Sequence, residues 1–214
     1  MQNKPRYVYM NNVFKNISLI LLAVIISFGF GDKHNMKDGN GSKYIKTEDG
    51  PAINWTEDLK LTQSDFKATR KGSKAHTAAT TSSSFGYDIT IENGKINGHI
   101  YVRFYCNSSW WNPESLNSKK SEEILQHEQL HFDICELYGR KMFKEILKLK
   151  KSNKLNGETL NRMYSQLENE YQKYQNRYDG ETNHSLNTKN QKRWNKRIKN
   201  DLVKTQTYAD YHNF

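Results

Sequence analysis

Apolar and polar residues alternate with a period of two in the middle of the chain. The apolar positions of this stretch are Phe85, Tyr87, Ile89 and Ile91, followed by Ile96, Ile100, Val102, Phe104 and Cys106. Asn93-Gly94 lies between the two halves, and this dipeptide is typical of a tight turn between antiparallel strands. The pattern therefore predicts a β-hairpin with one apolar face.

Three amphipathic helices are predicted after the hairpin, because the spacing of apolar residues changes there to three and four. The first begins at Ser118 or Ser121 and runs to about Lys151. The second runs from near Glu158 to Asp179-Gly180, and its apolar stripe contains Leu160, Met163, Tyr164, Leu167, Tyr171, Tyr174 and Tyr178. The third is placed by Leu186, Trp194, Ile198 and Leu202. This order predicts an α+β domain in which the hairpin packs on the first helix and two further helices close the core.

The N-terminus has the pattern of a secretory signal peptide. Basic residues precede an uncharged and mostly apolar run over residues 17–30, and no acidic residue occurs before Asp32. A small residue, Gly31, suits a cleavage site at the end of this run. We therefore expect residues 1–31 to be removed on export, which would place the protein in the periplasm or outside the cell.

The remaining chain is expected to contain a flexible leader and one folded domain. Residues 32–51 are rich in Gly, Asn, Asp and Lys, which is typical of a disordered segment, and residues 52–214 would form the domain. The whole chain has a formal net charge of +10, and loss of the signal peptide would leave +7. Export would permit a disulfide between Cys106 and Cys135, although both could equally be buried thiols.

The first helix carries the sequence His-Glu-x-x-His, formed by His127, Glu128 and His131. Residues four apart lie about one turn apart on the same helix face, so both imidazoles could bind one zinc ion. Glu128 could then take a proton from a zinc-bound water. The same face carries Ile124, Ile134, Cys135, Tyr138 and Met142, and buried imidazoles need polar partners. The pattern predicts one zinc ion per chain and a metal-dependent hydrolase.

A catalytic zinc ion usually has three protein ligands, so a third ligand is expected elsewhere in the chain. The favoured candidate is His184, in the segment that follows the second helix. Asp179 is the alternative third ligand, and Glu168 or Glu170 would be a further one. If the second helix packs antiparallel to the first, this segment returns to His127. Tyr178, which lies beside it, is a candidate to stabilise the oxyanion of the reaction.

These residues resemble the bacterial domain-of-unknown-function 922 family (DUF922), described as predicted secreted zinc-dependent proteases. The resemblance rests on Leu61-x-x-x-Asp65-Phe66, Ala78-Ala79-Thr80, Ser109-Trp110, His127-Glu128-Gln129-x-His131-Phe132-Asp133-Ile134, Tyr178-Asp179-x-x-Thr182-x-His184 and Gln191-x-x-Trp194. The pattern has Gly after its last His, where this chain has Ser185. The resemblance implies a zincin-like fold and a peptidase activity.

The sequence therefore favours a secreted zinc metallopeptidase with a peptide or protein as substrate. A zinc amidase that acts on cell-wall peptides is one alternative, and a non-catalytic exported protein with a structural zinc is another. The third helix is strongly basic, with Lys189, Lys192, Arg193, Lys196, Arg197 and Lys199. It could contact an anionic envelope surface, but no nucleic-acid motif accompanies it, so nucleic acid is not an expected partner.

Overall fold

The predicted hairpin forms one half of a four-stranded antiparallel sheet. The computed structural model describes residues 42–69, 78–92, 95–112, 118–211 and 213–214. Strands β4 (Ser83–Glu92) and β5 (Lys95–Tyr105) pair in the register Phe85↔Val102 and Ile91↔Ile96. The apolar side chains of one face, Phe85, Ile100, Val102 and Phe104, are buried as predicted. The predicted turn at Asn93-Gly94 lies outside the described residues.

A second hairpin extends this sheet and corrects the predicted leader. Strands β1 (Tyr44–Thr47) and β2 (Gly50–Asn54) pair with each other, and β2 also pairs with β5, so that the strand order is β1-β2-β5-β4. Two short strands, β3 (Ala79–Thr80) and β6 (Trp110–Trp111), form a separate pair. The prediction of a flexible leader over residues 32–51 is therefore wrong for residues 44–51, while residues 32–41 lie outside the described part of the chain.

Contacts remote in sequence explain why this polar segment is ordered. Ile53 is fully buried in the core beneath the sheet. Asp65 is also fully buried, and it accepts hydrogen bonds from Lys43 Nζ at 2.7 Å and from Tyr44 OH at 2.6 Å. A buried carboxylate needs such partners, so the first strand is held by a charge that lies about twenty residues away.

Helix α1 (Ser118–Lys151) packs on the apolar face of the sheet, as predicted. The rings of Phe104 and Phe132 lie 5.9 Å apart, and those of Phe85 and Tyr138 lie 6.0 Å apart. Gly139 allows the helix to approach closely, because a Cβ atom added there would lie only 2.5 Å from Val102 Cγ2. The face of α1 that carries the two histidines is therefore continuous with the core.

Substitution of Gly139 tests this close approach. We expect Gly139→Ala to lower the free energy of unfolding by about 1–3 kcal/mol, because the overpacking cost exceeds the gain in helix propensity. Urea denaturation measures the change, and a second substitution, Val102→Ala, should recover most of it. Gly180→Ala is the control, since no atom lies within 4 Å of its added Cβ. Equal effects at both glycines would contradict the proposed contact.

Two further helices complete the domain and return the chain to the histidines. Helix α2 (Gly157–Thr182) begins after Asn156, whose side chain accepts a hydrogen bond from the Thr159 amide, and it ends three residues later than the predicted Asp179. Helix α3 (Thr188–Lys204) buries Trp194, whose ring lies 5.2 Å from that of Tyr178 near the end of α2. The α+β class, with a small antiparallel sheet and three helices, is thus confirmed.

Neither cysteine forms a disulfide, and both thiols are buried. Cys106 follows β5 directly, and Cys135 lies in α1. Of the two readings left open by the sequence, the structure has the buried thiols. No helix in the described part of the chain is long and apolar enough to cross a membrane, and the predicted signal peptide, residues 1–31, falls outside that part.

Candidate metal centre

His127 and His131 bring their imidazole rings together on one face of α1. Their Nε2 atoms lie 3.2 Å apart, and their ring centroids are 4.8 Å apart. The His127 residue is only 3% exposed, and the His131 side chain is 14% exposed. The spacing of the motif therefore produces the expected pair of converging donors in a site that is largely shielded from water.

Asp179 supplies a third donor atom from the last turns of α2. Its Oδ1 lies 3.1 Å from His127 Nε2 and 3.0 Å from His131 Nε2. Ligand atoms bound at about 2.0–2.1 Å to a tetrahedral zinc ion lie about 3.3 Å from one another. The three atoms thus form a triangle of nearly the size of one face of a zinc site. Two imidazoles and a carboxylate are also an ordinary donor set for zinc, so these residues fit the ion.

His184 lies at the rim of this cluster. Its Nδ1 is 3.7 Å from Asp179 Oδ1, and its side chain is 63% exposed. The donor atoms of His127, Asp179 and His184 all lie within 4.8 Å of one another, so His184 can also reach a metal. The predicted third ligand is therefore close to the centre, but its alternative, Asp179, lies between the two imidazoles.

A strained turn presents His184 at this rim. Asn183, His184 and Ser185 have φ angles of 48°, 49° and 75°, in the left-handed region that disfavours side chains. The turn is held by the Asn187 amide, which donates to the Thr182 carbonyl at 2.8 Å, and by the His184 amide, which donates to Asp179 O at 3.1 Å. Ser185 thus occupies a conformation that Gly adopts more readily than any other residue.

The contact between Asp179 and His131 shifts the pKa of each residue. Burial by itself lowers the pKa of His131, but the hydrogen bond and the negative charge of Asp179, with a further contribution from the charge of Glu128, raise it to about 9. Burial alone would raise the pKa of Asp179, yet its hydrogen bonds to both histidines hold that pKa well below the usual range. In the absence of a metal, the cluster therefore binds a proton tightly.

This proton makes the stability of the metal-free protein depend on pH. The pKa of His131 rises from 6.5 to about 9 on folding. The protonated ring therefore contributes fully to the stability of the fold below pH 6.5, and this contribution is lost as the pH rises through about 9. We expect the free energy of unfolding to fall by up to about 3 kcal/mol between roughly pH 6 and pH 9. Urea titrations with a chelator present measure this, and His131→Gln is the control. An equal fall in both proteins would exclude this ion pair as the cause.

Glu128, the residue between the two histidines of the motif, is also buried. The residue is 5% exposed, and no donor among the described residues reaches its Oε2 atom. Its backbone carbonyl accepts a hydrogen bond from Thr81 Oγ1 at 3.2 Å, which connects this turn of α1 to the residue that follows β3. A buried carboxylate oxygen without a partner is costly, and such an atom needs a water or a ligand to bind.

The structure gives Tyr178 a different role from the predicted oxyanion stabiliser. The residue is fully buried, and its hydroxyl donates to the His127 carbonyl at 3.1 Å and accepts from Gln191 Nε2 at 2.7 Å. Its ring stacks on that of His127 with a centroid distance of 4.6 Å. The one hydrogen of this hydroxyl is already used, so Tyr178 supports the histidine instead of facing a substrate.

Sequence reasoning missed the two glutamines that contact the imidazoles from outside. Gln191 Oε1 lies 3.0 Å from His127 Nδ1, and Gln175 Oε1 lies 2.6 Å from His131 Nδ1. Gln191 belongs to a motif quoted for the family resemblance, which could have suggested a role near the site. Gln175 carries no signal of its own, because a glutamine beside a helical stripe is common.

Comparison with known proteins identifies the family but not an activity. No curated protein and no solved structure matches the chain. The model of a family described as bacterial protein of unknown function (DUF922) matches residues 56–185, which is more than half of the chain. This range includes His127, Glu128, His131 and Asp179, and it ends at Ser185, immediately after His184. The chain therefore belongs to the bacterial DUF922 family.

Proposed function

We propose that the protein is a zinc-dependent hydrolase that cleaves peptide bonds. The observation that carries this proposal is the triangle of His127 Nε2, His131 Nε2 and Asp179 Oδ1, whose sides measure 3.0–3.2 Å. Glu128, next to His127 in the chain, has a buried carboxylate oxygen that no donor among the described residues reaches. Both parts are needed for hydrolysis, since the first holds a cation and the second can move a proton.

The residues of the centre have separate tasks in this reaction. A zinc ion, when bound, would polarise the scissile carbonyl and lower the pKa of a water molecule toward neutrality. Glu128 takes a proton from the attacking water and returns it to the leaving amine. Tyr178 and the two glutamines hold the histidines in place. Peptide hydrolysis is favoured over other hydrolytic reactions because His-Glu-x-x-His on a helix is characteristic of metallopeptidases.

A direct test uses two substrates that separate the peptidase from its nearest rival. Purified protein is incubated with casein and with purified peptidoglycan, before and after chelation and again after zinc is restored. We expect casein cleavage that is lost with the chelator and recovered with zinc. Release of peptides from peptidoglycan alone would favour the cell-wall amidase. Failure to hydrolyse either material in the zinc-loaded state would count against the proposed activity.

A structural zinc site is the second candidate, and the position of His184 favours it. If His184 joined His127, His131 and Asp179, four protein ligands would surround the ion. A site with four protein ligands has no open position and is typical of structural zinc. The protein would then be a non-catalytic exported binding protein. The relative importance of His184 and Asp179 for zinc binding separates the two functions.

We also propose that the protein is exported and that a basic surface on α3 contacts the cell envelope. Six side chains of this helix are exposed: Lys189, Lys192, Arg193, Lys196, Arg197 and Lys199. After export, such a face would be attracted to the anionic polymers of a cell envelope. Such a contact would hold the metal centre near the envelope, because the same helix also supplies Gln191 to that centre.

A further inference from the structure

Each histidine of the candidate metal centre is held by a glutamine from another helix. His127 Nδ1 lies 3.0 Å from Gln191 Oε1 in α3, and His131 Nδ1 lies 2.6 Å from Gln175 Oε1 in α2. A neutral imidazole has one N–H group and one bare nitrogen, and only the bare nitrogen can bind a metal. The direction of these two hydrogen bonds therefore decides whether the Nε2 atoms are available.

A backbone carbonyl fixes this direction at His131. Gln175 Nε2 lies 3.0 Å from the backbone oxygen of His131, and a carbonyl oxygen can only accept a hydrogen bond. The NH2 group of Gln175 must therefore face the backbone, and its oxygen must face the ring. Because that oxygen can only accept, Nδ1 of His131 carries the hydrogen, and Nε2 of the neutral ring is left bare.

At His127 the backbone carbonyl acts through Tyr178. The Tyr178 hydroxyl donates to the His127 carbonyl at 3.1 Å, so it must accept from Gln191 Nε2, which lies 2.7 Å away. The second hydrogen of this NH2 group is directed to Asn195 Oδ1 at 2.8 Å. The oxygen of Gln191 is then left to accept from His127 Nδ1. Gln191 is buried, and every polar atom of its amide group has a partner.

We propose that Gln175 and Gln191 are positioning residues that hold both imidazoles in the Nδ1–H form, with the Nε2 lone pairs directed to the metal. This inference rests on the proposed metal site. In both cases the backbone carbonyl of a histidine sets the form of its own ring through a side-chain amide. A neutral amide achieves this without adding a negative charge. With Asp179 as the single charged ligand, a divalent ion would keep a net positive charge to act on a substrate carbonyl.

Zinc affinity and ring protonation test this proposal together. Gln175→Met and Gln191→Met keep the length of the side chain but remove its hydrogen bonds, and Gln166→Met, at an exposed position of α2, is the control. We expect each of the first two changes to raise the zinc dissociation constant roughly 10- to 100-fold, and the control to leave it unchanged. In 1H–15N spectra of the zinc-loaded protein, His127 and His131 should each show a hydrogen on Nδ1. Each variant should lose that signal at its own histidine alone.

The outcomes separate this inference from the proposed function. Zinc binding by the unmodified protein, with the same affinity in both methionine variants, would overturn the role of the glutamines and leave the metal centre intact. A hydrogen on Nε2 of either zinc-loaded histidine would do the same. Absence of zinc binding in the unmodified protein would overturn the proposed function and this inference together. If Gln191→Met does not fold, Gln175→Met remains decisive, because its side chain is not part of the Tyr178 contact.

Discussion

Replacement of Glu128 by Gln is expected to lower peptide hydrolysis by about 10²- to 10⁴-fold, since the amide cannot accept the proton of the attacking water. The zinc content should stay near one ion per chain, because Glu128 is not among the three converging donors. Its Oε2 has no donor partner in the described part of the chain, so loss of the charge should not destabilise the fold. Turnover of casein and elemental analysis of the same preparation measure the two properties.

A matched control for this variant lies in the same helix. Glu122 is exposed in the first turns of α1, and Glu122→Gln should leave both zinc content and turnover unchanged. Retention of full activity in Glu128→Gln would exclude Glu128 as the general base. Loss of zinc together with activity would make Glu128 part of the metal site instead. If zinc remains bound and no substrate is ever hydrolysed by the unmodified protein, the structural-zinc function is favoured.

Replacement of Asp179 by Asn is expected to have the second large effect, more than about a 100-fold rise in the zinc dissociation constant. This rise exceeds the loss of metal affinity that is usual when a residue that only hydrogen-bonds to a metal ligand is replaced. The physical reason is that Asp179 Oδ1 lies about equally far from both imidazole Nε2 atoms, at 3.1 and 3.0 Å, and provides the only negative charge of the triangle. Competition of the protein with a zinc-sensitive dye measures the constant.

His184→Ala serves as the comparison for Asp179→Asn. Because the His184 side chain is 63% exposed and its Nδ1 is 3.7 Å from Asp179 Oδ1, we expect a smaller change, below about tenfold. The reverse order would make His184 the third ligand, as the sequence first suggested. Large and similar losses in both variants would indicate four protein ligands and would favour the structural site over the enzyme.

Local patterns in the sequence were sufficient for the elements on which the site is built. The alternation around Asn93-Gly94 predicted strands β4 and β5, and the spacing of three and four predicted α1 to α3. The placement of His127 on the apolar face of α1 also followed from this spacing, since Ile134 and Met142 on the same face are both buried. These features depend on neighbours in the chain, which a sequence displays directly.

Features that depend on remote partners could not be predicted in this way. In the sequence, much of the β1–β2 hairpin looks like a flexible leader. It is ordered in the structure because Tyr44 contacts Asp65, which is distant in the sequence. The choice between His184 and Asp179 depends on where α2 ends, and that helix continues past Asp179 to Thr182. The role of Tyr178 was misjudged for a related reason, since its hydroxyl is directed to the backbone of another helix.

Contact between His127 and Asp179 joins two points of the chain that are 52 residues apart. A bound ion would close this long loop as a crosslink does, and it would restrict the unfolded chain far more than the folded one. By the chain-entropy relation for a disulfide, a loop of this length corresponds to about 4 kcal/mol. Since the thiols of Cys106 and Cys135 are free, the metal would serve this protein in place of a disulfide.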